Sequence, residues 1–295
     1  MSVQRPTLDM LGVNAGVKAK LYHMMYHHGA KNGTLMILPI DQGLEHGPRD
    51  FFVNIDAEHP NFQFELALQG GFSAIAVHHG LAQKYYPTYA GKIPLVYKIN
   101  GKTSIPTDDE AFSTCTGSIQ EALQLGASAI GYTLFVGSPR QDEDIEQASM
   151  IRKQAHEAGL PFIVWAYPRG VYVDKKGGKQ SLFAIAYAAR VAQEIGADVI
   201  KVNFPQGVNQ YCPVEYRNLE WDFEQQLHHI LRAAGHSLVI FSGGEKVDTP
   251  TLLHQVHCGM QQGGTGVIFG RNLWQRPFDE GLTLASQIKE VLSKH

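Results

Sequence analysis

Cysteine is scarce in this chain, and the scarcity is informative. The three present, Cys115, Cys212 and Cys258, are odd in number, far apart and without a CxxC pair. That pattern excludes a disulfide scaffold and a cysteine zinc site, and it suits a reducing, cytoplasmic compartment. Long apolar runs are also lacking. None approaches the roughly 18 residues of a membrane-spanning helix, and the opening MSVQRPTLDM has no apolar signal-peptide core. Nor does one sign of charge dominate: 25 Lys and Arg face 28 Asp and Glu, for a net charge of −3. A nucleic-acid partner, which needs a basic field, is therefore not expected, and neither is a membrane. Charge as a whole is sparse, at 18% of residues against about 25% in typical soluble domains. Much surface is then expected to be buried, in a large core or between subunits. These exclusions leave a large α/β enzyme.

What the sequence does contain is a regular alternation. Short runs rich in Val, Ile and Leu occupy 35–40, 73–78, 95–100, 128–133, 161–166, 198–203, 237–241 and 265–269. They are nearly uninterrupted, as expected of parallel strands buried on both faces. Amphipathic segments at 118–125, 142–158, 181–195, 221–234, 249–262 and 278–293 lie between or after them, with shorter ones at 62–70 and 81–86. In LQLGAS, QEIGAD and RAAGHS a glycine follows the last helical residue just before the next strand, a left-handed helix cap. Eight strands alternating with helices predict a (β/α)₈ TIM barrel. The rival, a doubly wound sheet, usually carries GxGxxG after its first strand, and here that turn reads DQGLEHG. A segment at 17–28 precedes the first strand and is expected to be helical, closing the barrel bottom or contacting another subunit. Residues 1–295 contain no linker or low-complexity tract and read as one domain.

Barrel enzymes place their chemistry where strands end at the C-terminal face. Lys201 stands out in ADVIKVNF. Strand periodicity puts it on one face with Val199 and Asn203, and the outward face is covered by helices, so it points into the barrel. A buried ammonium is costly, loses its proton readily and becomes a nucleophile for a carbonyl carbon. A second possibility is a structural lysine paired with a carboxylate such as Asp41. Ser242, Gly243 and Gly244 follow the seventh run, and Gly270 and Arg271 the eighth, where such barrels bind phosphate through backbone N–H groups and arginine. The glycines also fit ordinary turns. Trp165 and Tyr167 share a face beside Lys201; the phenol suits proton transfer, although aromatic pairs also simply fill cores. Arg169 is positioned for a second anion. Asp41 and His46 follow the first strand, where Asp41 can orient substrate hydroxyls and the amine or cap the next turn. Adjacent pairs among the 14 histidines lack the spacing that brings two rings to one metal, and no metal is expected.

The blocks LPIDQGLEHGPRDF, KINGKT, WAYPRG, ADVIKVNF, FSGGEK and GVIFGRNLWQRP, in this order from Leu38 to Pro277, resemble the archaeal-type class I fructose-bisphosphate aldolases. The resemblance implies a (β/α)₈ barrel with a Schiff-base lysine on the sixth strand and members that often form decamers. By motif, Lys201 matches that lysine and Tyr167 the proton-transfer tyrosine. Trp165, Asp41 and His46 match cavity positions, and Arg169 a further substrate contact. Ser242, Gly243, Gly244, Gly270 and Arg271 match the phosphate loops. Asn203 has no role fixed by the pattern, and 54–63 and 208–220 match no block, so substrate scope can differ there.

The expectation is a Schiff-base, metal-independent aldolase that cleaves fructose 1,6-bisphosphate reversibly, with no cofactor beyond the covalent lysine. The alternative is a lysine-dependent aldolase, thiolase or transferase acting on another phosphorylated ketose. Further alternatives are a metal-dependent aldolase and a non-catalytic sugar-phosphate sensor. A homo-oligomer, a decamer by the resemblance, is expected.

Overall fold

The computed structural model describes residues 4–244 and 246–295, so Glu245 of the FSGGEK block lies outside the described residues. The eight apolar runs form eight parallel strands: β1 (Leu35–Pro39), β2 (Ala74–His78), β3 (Leu95–Lys98), β4 (Ala129–Val136), β5 (Phe162–Pro168), β6 (Val199–Asn203), β7 (Leu238–Ser242) and β8 (Gly266–Ile268). Each pairs with its sequence neighbours, and β8 returns to β1, where Leu35 stands opposite Gly266. The sheet is a closed barrel, so the barrel itself leaves no strand edge open to other chains.

Alternation along the strands divides the core in two. Leu35, Ile37, Ile163, Trp165, Val199, Leu238 and Ile240 belong to the cluster inside the barrel. Their neighbours Met36, Leu38, Val164, Ile200, Val202, Val239 and Phe241 face outward into the helical layer. On β6 this fixes the lysine, because Lys201 shares parity with the inward Val199.

The helices begin and end as their sequences dictate. Ser118 with Glu121, and Asp222 with Gln225, form reciprocal capping boxes at Ile119–Gln124 and Phe223–Ala233. Ser181 accepts the Ala184 N–H to start Leu182–Ile195. The three glycines of the repeated helix-to-strand turn, Gly126, Gly196 and Gly235, have φ of 70°, 94° and 58°, a region costly for residues with a Cβ.

The N-terminal segment is the helix Ala15–Tyr22, continued by one wider turn at His23–His27. Val17, Leu21, Met24 and Met25 are buried in the same cluster as the inward strand residues. Of the two roles expected for it, this segment takes the first and plugs the barrel bottom. The barrel is thereby left open only at the other end, where the C-terminal ends of the strands line a cavity. No helix among the described residues is long and apolar enough to cross a membrane.

Candidate active site

One cavity of about 320 Å³ opens at that end, and all twelve side chains or glycines singled out from the sequence line it. Asp41 and His46 arrive from β1 and the short helix Gln42–His46. Trp165, Tyr167 and Arg169 come from β5 and the turn beyond it, and Lys201 and Asn203 from β6. Ser242, Gly243 and Gly244 come from the end of β7, and Gly270 and Arg271 from the loop after β8.

Lys201 is 4% exposed. Its register partner on the neighbouring strand is Trp165, and its Nζ lies 5.0 Å from the Trp165 ring centroid and 5.3 Å from that of Tyr167. Burial pushes its pKa down to about 8, opposed by the negative charges of Asp41 and Glu45 and assisted by Arg271. At neutral pH an ordinary lysine is free amine in only a few molecules per ten thousand, whereas a pKa of about 8 leaves about a tenth free. Asp41 acts on Lys201 as a nearby charge. Its side chain does not cap the helix that follows it, which removes the capping alternative for this residue.

Tyr167 is held in its protonated form: burial raises its pKa, and Asp41 and Glu45 add to the effect. The Arg169 guanidinium lies 5.1 Å from its ring centroid. Arg169 also pairs with Asp108, Nε to Oδ2 at 3.3 Å, and donates to the Pro168 carbonyl at 2.8 Å. The arginine expected to meet an anion is thus already anchored to the loop after β3. Asn203 accepts the Ser242 hydroxyl at 2.6 Å through Oδ1, tying the ends of β6 and β7 together.

The loops after β7 and β8 also touch. Arg271 donates to the Gly244 carbonyl at 3.0 Å, and the Asn272 side chain accepts the Val247 N–H at 3.0 Å. Gly270 is required by close approach: a Cβ there would lie 2.8 Å from the Pro39 carbonyl oxygen and 3.0 Å from the Trp274 indole nitrogen. The two loops form a single polar rim carrying a guanidinium and close-approach backbone, a suitable cradle for a phosphate.

Several cavity residues were not singled out beforehand. Glu45, Arg49, Thr133, Lys179 and Gln180 also line it. Asp50, buried, accepts from His46 Nδ1 at 2.6 Å and faces Arg271 Nη1 at 3.8 Å. Lys98 at the end of β3 is a second enclosed lysine, 5.5 Å from the Trp165 ring centroid. Its sequence signal was the one that marked Lys201: a lysine within an apolar run, followed two residues later by asparagine. The loop residues had no strand periodicity to place them. Among the described residues, no three His, Cys, Asp or Glu side chains converge in a metal-holding group.

A closed parallel barrel with an enclosed lysine at its C-terminal mouth is the arrangement found in enzymes that act on carbonyl carbon through lysine. The family model for DeoC/LacD family aldolase matches residues 35–276. The chain belongs to that family, and it is an aldolase, a carbon–carbon lyase. It is 36% identical over 264 residues to the class 1 fructose-bisphosphate aldolase of Thermoproteus tenax, covering 89% of this chain and 91% of that one. It is 30% identical to a fructose-bisphosphate aldolase/6-deoxy-5-ketofructose 1-phosphate synthase of Methanocaldococcus jannaschii, covering 88% and 82%. A solved archaeal fructose-1,6-bisphosphate aldolase, with its catalytic lysine covalently bound to the carbinolamine intermediate, superposes with a TM-score of 0.79. That structure shares 33% identity, over 92% of this chain and 99% of its own.

Proposed function

We propose that the chain is a class I fructose-bisphosphate aldolase, cleaving fructose 1,6-bisphosphate reversibly to dihydroxyacetone phosphate and glyceraldehyde 3-phosphate. The observation that carries this reading is the enclosed Lys201 amine, set between Trp165 and Tyr167 in the cavity. The neutral amine adds to the C2 ketone to give a carbinolamine. The Tyr167 phenol protonates the departing hydroxyl, which leaves as water, and an iminium faces the resulting phenolate. When the C3–C4 bond breaks, its electron pair moves into the iminium while the phenolate takes the C4 hydroxyl proton. Glyceraldehyde 3-phosphate leaves. Protonation of the enamine at C3 and hydrolysis then return dihydroxyacetone phosphate and Lys201.

In this scheme Asp41 orients the substrate hydroxyls and the amine, and Trp165 packs beside the iminium. Ser242, Gly243, Gly244, Gly270 and Arg271 hold one phosphate. His46, Arg169 and Asn203 contact the rest of the chain of the sugar. Fixing both ends of the substrate lowers the entropic part of the barrier. The iminium is itself the electron sink, so the reaction needs no metal and no cofactor.

Lys201→Met tests the assignment. Its kcat is expected to fall by about 10⁴-fold or more while substrate binding, read by calorimetry, persists; turnover near wild type contradicts it. Another phosphorylated ketose is the second reading for the substrate, favoured by the Methanocaldococcus jannaschii relative, whose name carries two activities. Relative cleavage rates on several ketose phosphates separate the two.

The same proposal takes residues 1–295 as one catalytic domain, working in the cytoplasm as a homo-oligomer of up to ten copies. The unpaired cysteines support the compartment. The exposed apolar side chains Phe52, Val53 and Ile55 support contacts between subunits.

A further inference from the structure

Lys98 is 2% exposed, and its Nζ donates to the Asn100 carbonyl at 2.6 Å and to Asn100 Oδ1 at 3.1 Å. Asn100 is itself pinned. Its amide donates to the Ser113 and Thr133 carbonyls at 3.0 and 2.8 Å, and its Oδ1 accepts the Thr133 N–H at 2.7 Å. The ammonium is therefore held rigidly by neutral acceptors. The polar space around it also contains Asp41, Glu45 and Thr133, which line the main cavity too. Lys98 and Lys201 meet the same indole, at 5.5 and 5.0 Å from its centroid, and the charges of Asp41 and Glu45 reach both.

We propose that Lys98 and Glu45 are opposed positioning residues: the buried cation offsets the carboxylates around Lys201, and together they set the pH at which its amine becomes nucleophilic. Neither needs to touch substrate. Lys201 feels the charges of Asp41 and Glu45 after β1 and of Arg271 after β8, with Tyr167 on β5 beside it, and the charges of Lys201 and Lys98 repel. On its other side Lys98 faces His78 and Asp144. A negative charge near an amine favours its protonated form, and a positive charge the neutral form. Removing Lys98 therefore leaves Asp41 and Glu45 less compensated and keeps Lys201 protonated to higher pH. Removing the Glu45 charge does the reverse. The like effect of burial pushes Lys98 down to about 8, so the offset fades as pH rises beyond that value.

The inference rests on Lys201 being the Schiff-base amine, and the test separates the two. Wild type, Lys98→Met, Glu45→Gln and the double variant are mixed briefly with dihydroxyacetone phosphate across a pH series and reduced with borohydride. The adduct on Lys201 is then quantified by peptide mass. The acid limb is expected to move up by about half a pH unit or more in Lys98→Met, down by a similar amount in Glu45→Gln, and back toward wild type in the double variant. Limbs unmoved in folded single variants, or moved in the same direction, overturn the proposal. If Lys98→Met does not fold, Glu45→Gln decides alone: a downward shift supports the proposal, and any other result overturns it. A wild type that forms no Lys201 adduct at any pH overturns the Schiff-base reading itself, and this proposal with it.

Discussion

Asp50 holds two cavity residues in place without lining the cavity itself. Its carboxylate accepts from His46 Nδ1 at 2.6 Å, and Arg271 stands 3.8 Å away. Its own carbonyl accepts from Gln275 at 2.8 Å, so the anchor is fixed at both ends. Hydrogen bonds to charged groups contribute about 1.5–3 kcal/mol. Asp50→Ala is accordingly expected to raise KM by roughly tenfold, with a smaller change in kcat, because a ground-state contact is loosened. Steady-state kinetics on a variant with a native melting curve checks this; an unchanged KM contradicts it. His46 and Asp50 stand four residues apart and are local partners, but nothing in the sequence reveals that Arg271, from a distant loop, meets them. Lys201 was legible because a strand has only two faces, and one of them was closed by helices. Lys98 carries the same signal in LVYKIN at the end of the third run, but the sequence alone fixes no role for it.

The strands were readable as elements because each is apolar on both faces, and all eight runs are strands of the barrel. Their ends were less so. β4 and β5 continue to Val136 and Pro168, where the two residues are register partners; Gly137 and Arg169 follow. That extension carries Tyr167 further up the barrel than the apolar run alone indicates. The short helices Gln42–His46 and Arg271–Trp274 were not anticipated, since segments of one turn have no periodicity to read. The N-terminal helix was anticipated, but only packing decides what it does. Leu21 is fully buried against the inward strand residues. Leu21→Ala is expected to cost about 2–5 kcal/mol of stability while leaving the distant cavity intact. Chemical denaturation alongside kinetics measures both, and a loss of kcat at unchanged stability contradicts this division.

For the whole molecule, barrel closure turns eight separate strand ends into one site. The plugged bottom leaves the other end open, where the shared rim of the loops after β7 and β8, the proposed phosphate cradle, lines the same cavity as an enclosed amine. Burial then does two opposite things: it lowers the Lys201 pKa to about 8 and keeps the Tyr167 phenol protonated. In the proposed mechanism the amine begins as the nucleophile and the phenol as the acid, the starting state that carbinolamine formation and dehydration require. The most direct test of this account is borohydride trapping with fructose 1,6-bisphosphate after exhaustive EDTA treatment, followed by peptide mass mapping. A reduced adduct on Lys201, with turnover undiminished by the chelator, is the predicted result. Bound substrate that leaves no adduct on Lys201, or activity that vanishes with EDTA and returns with a divalent metal, would contradict it.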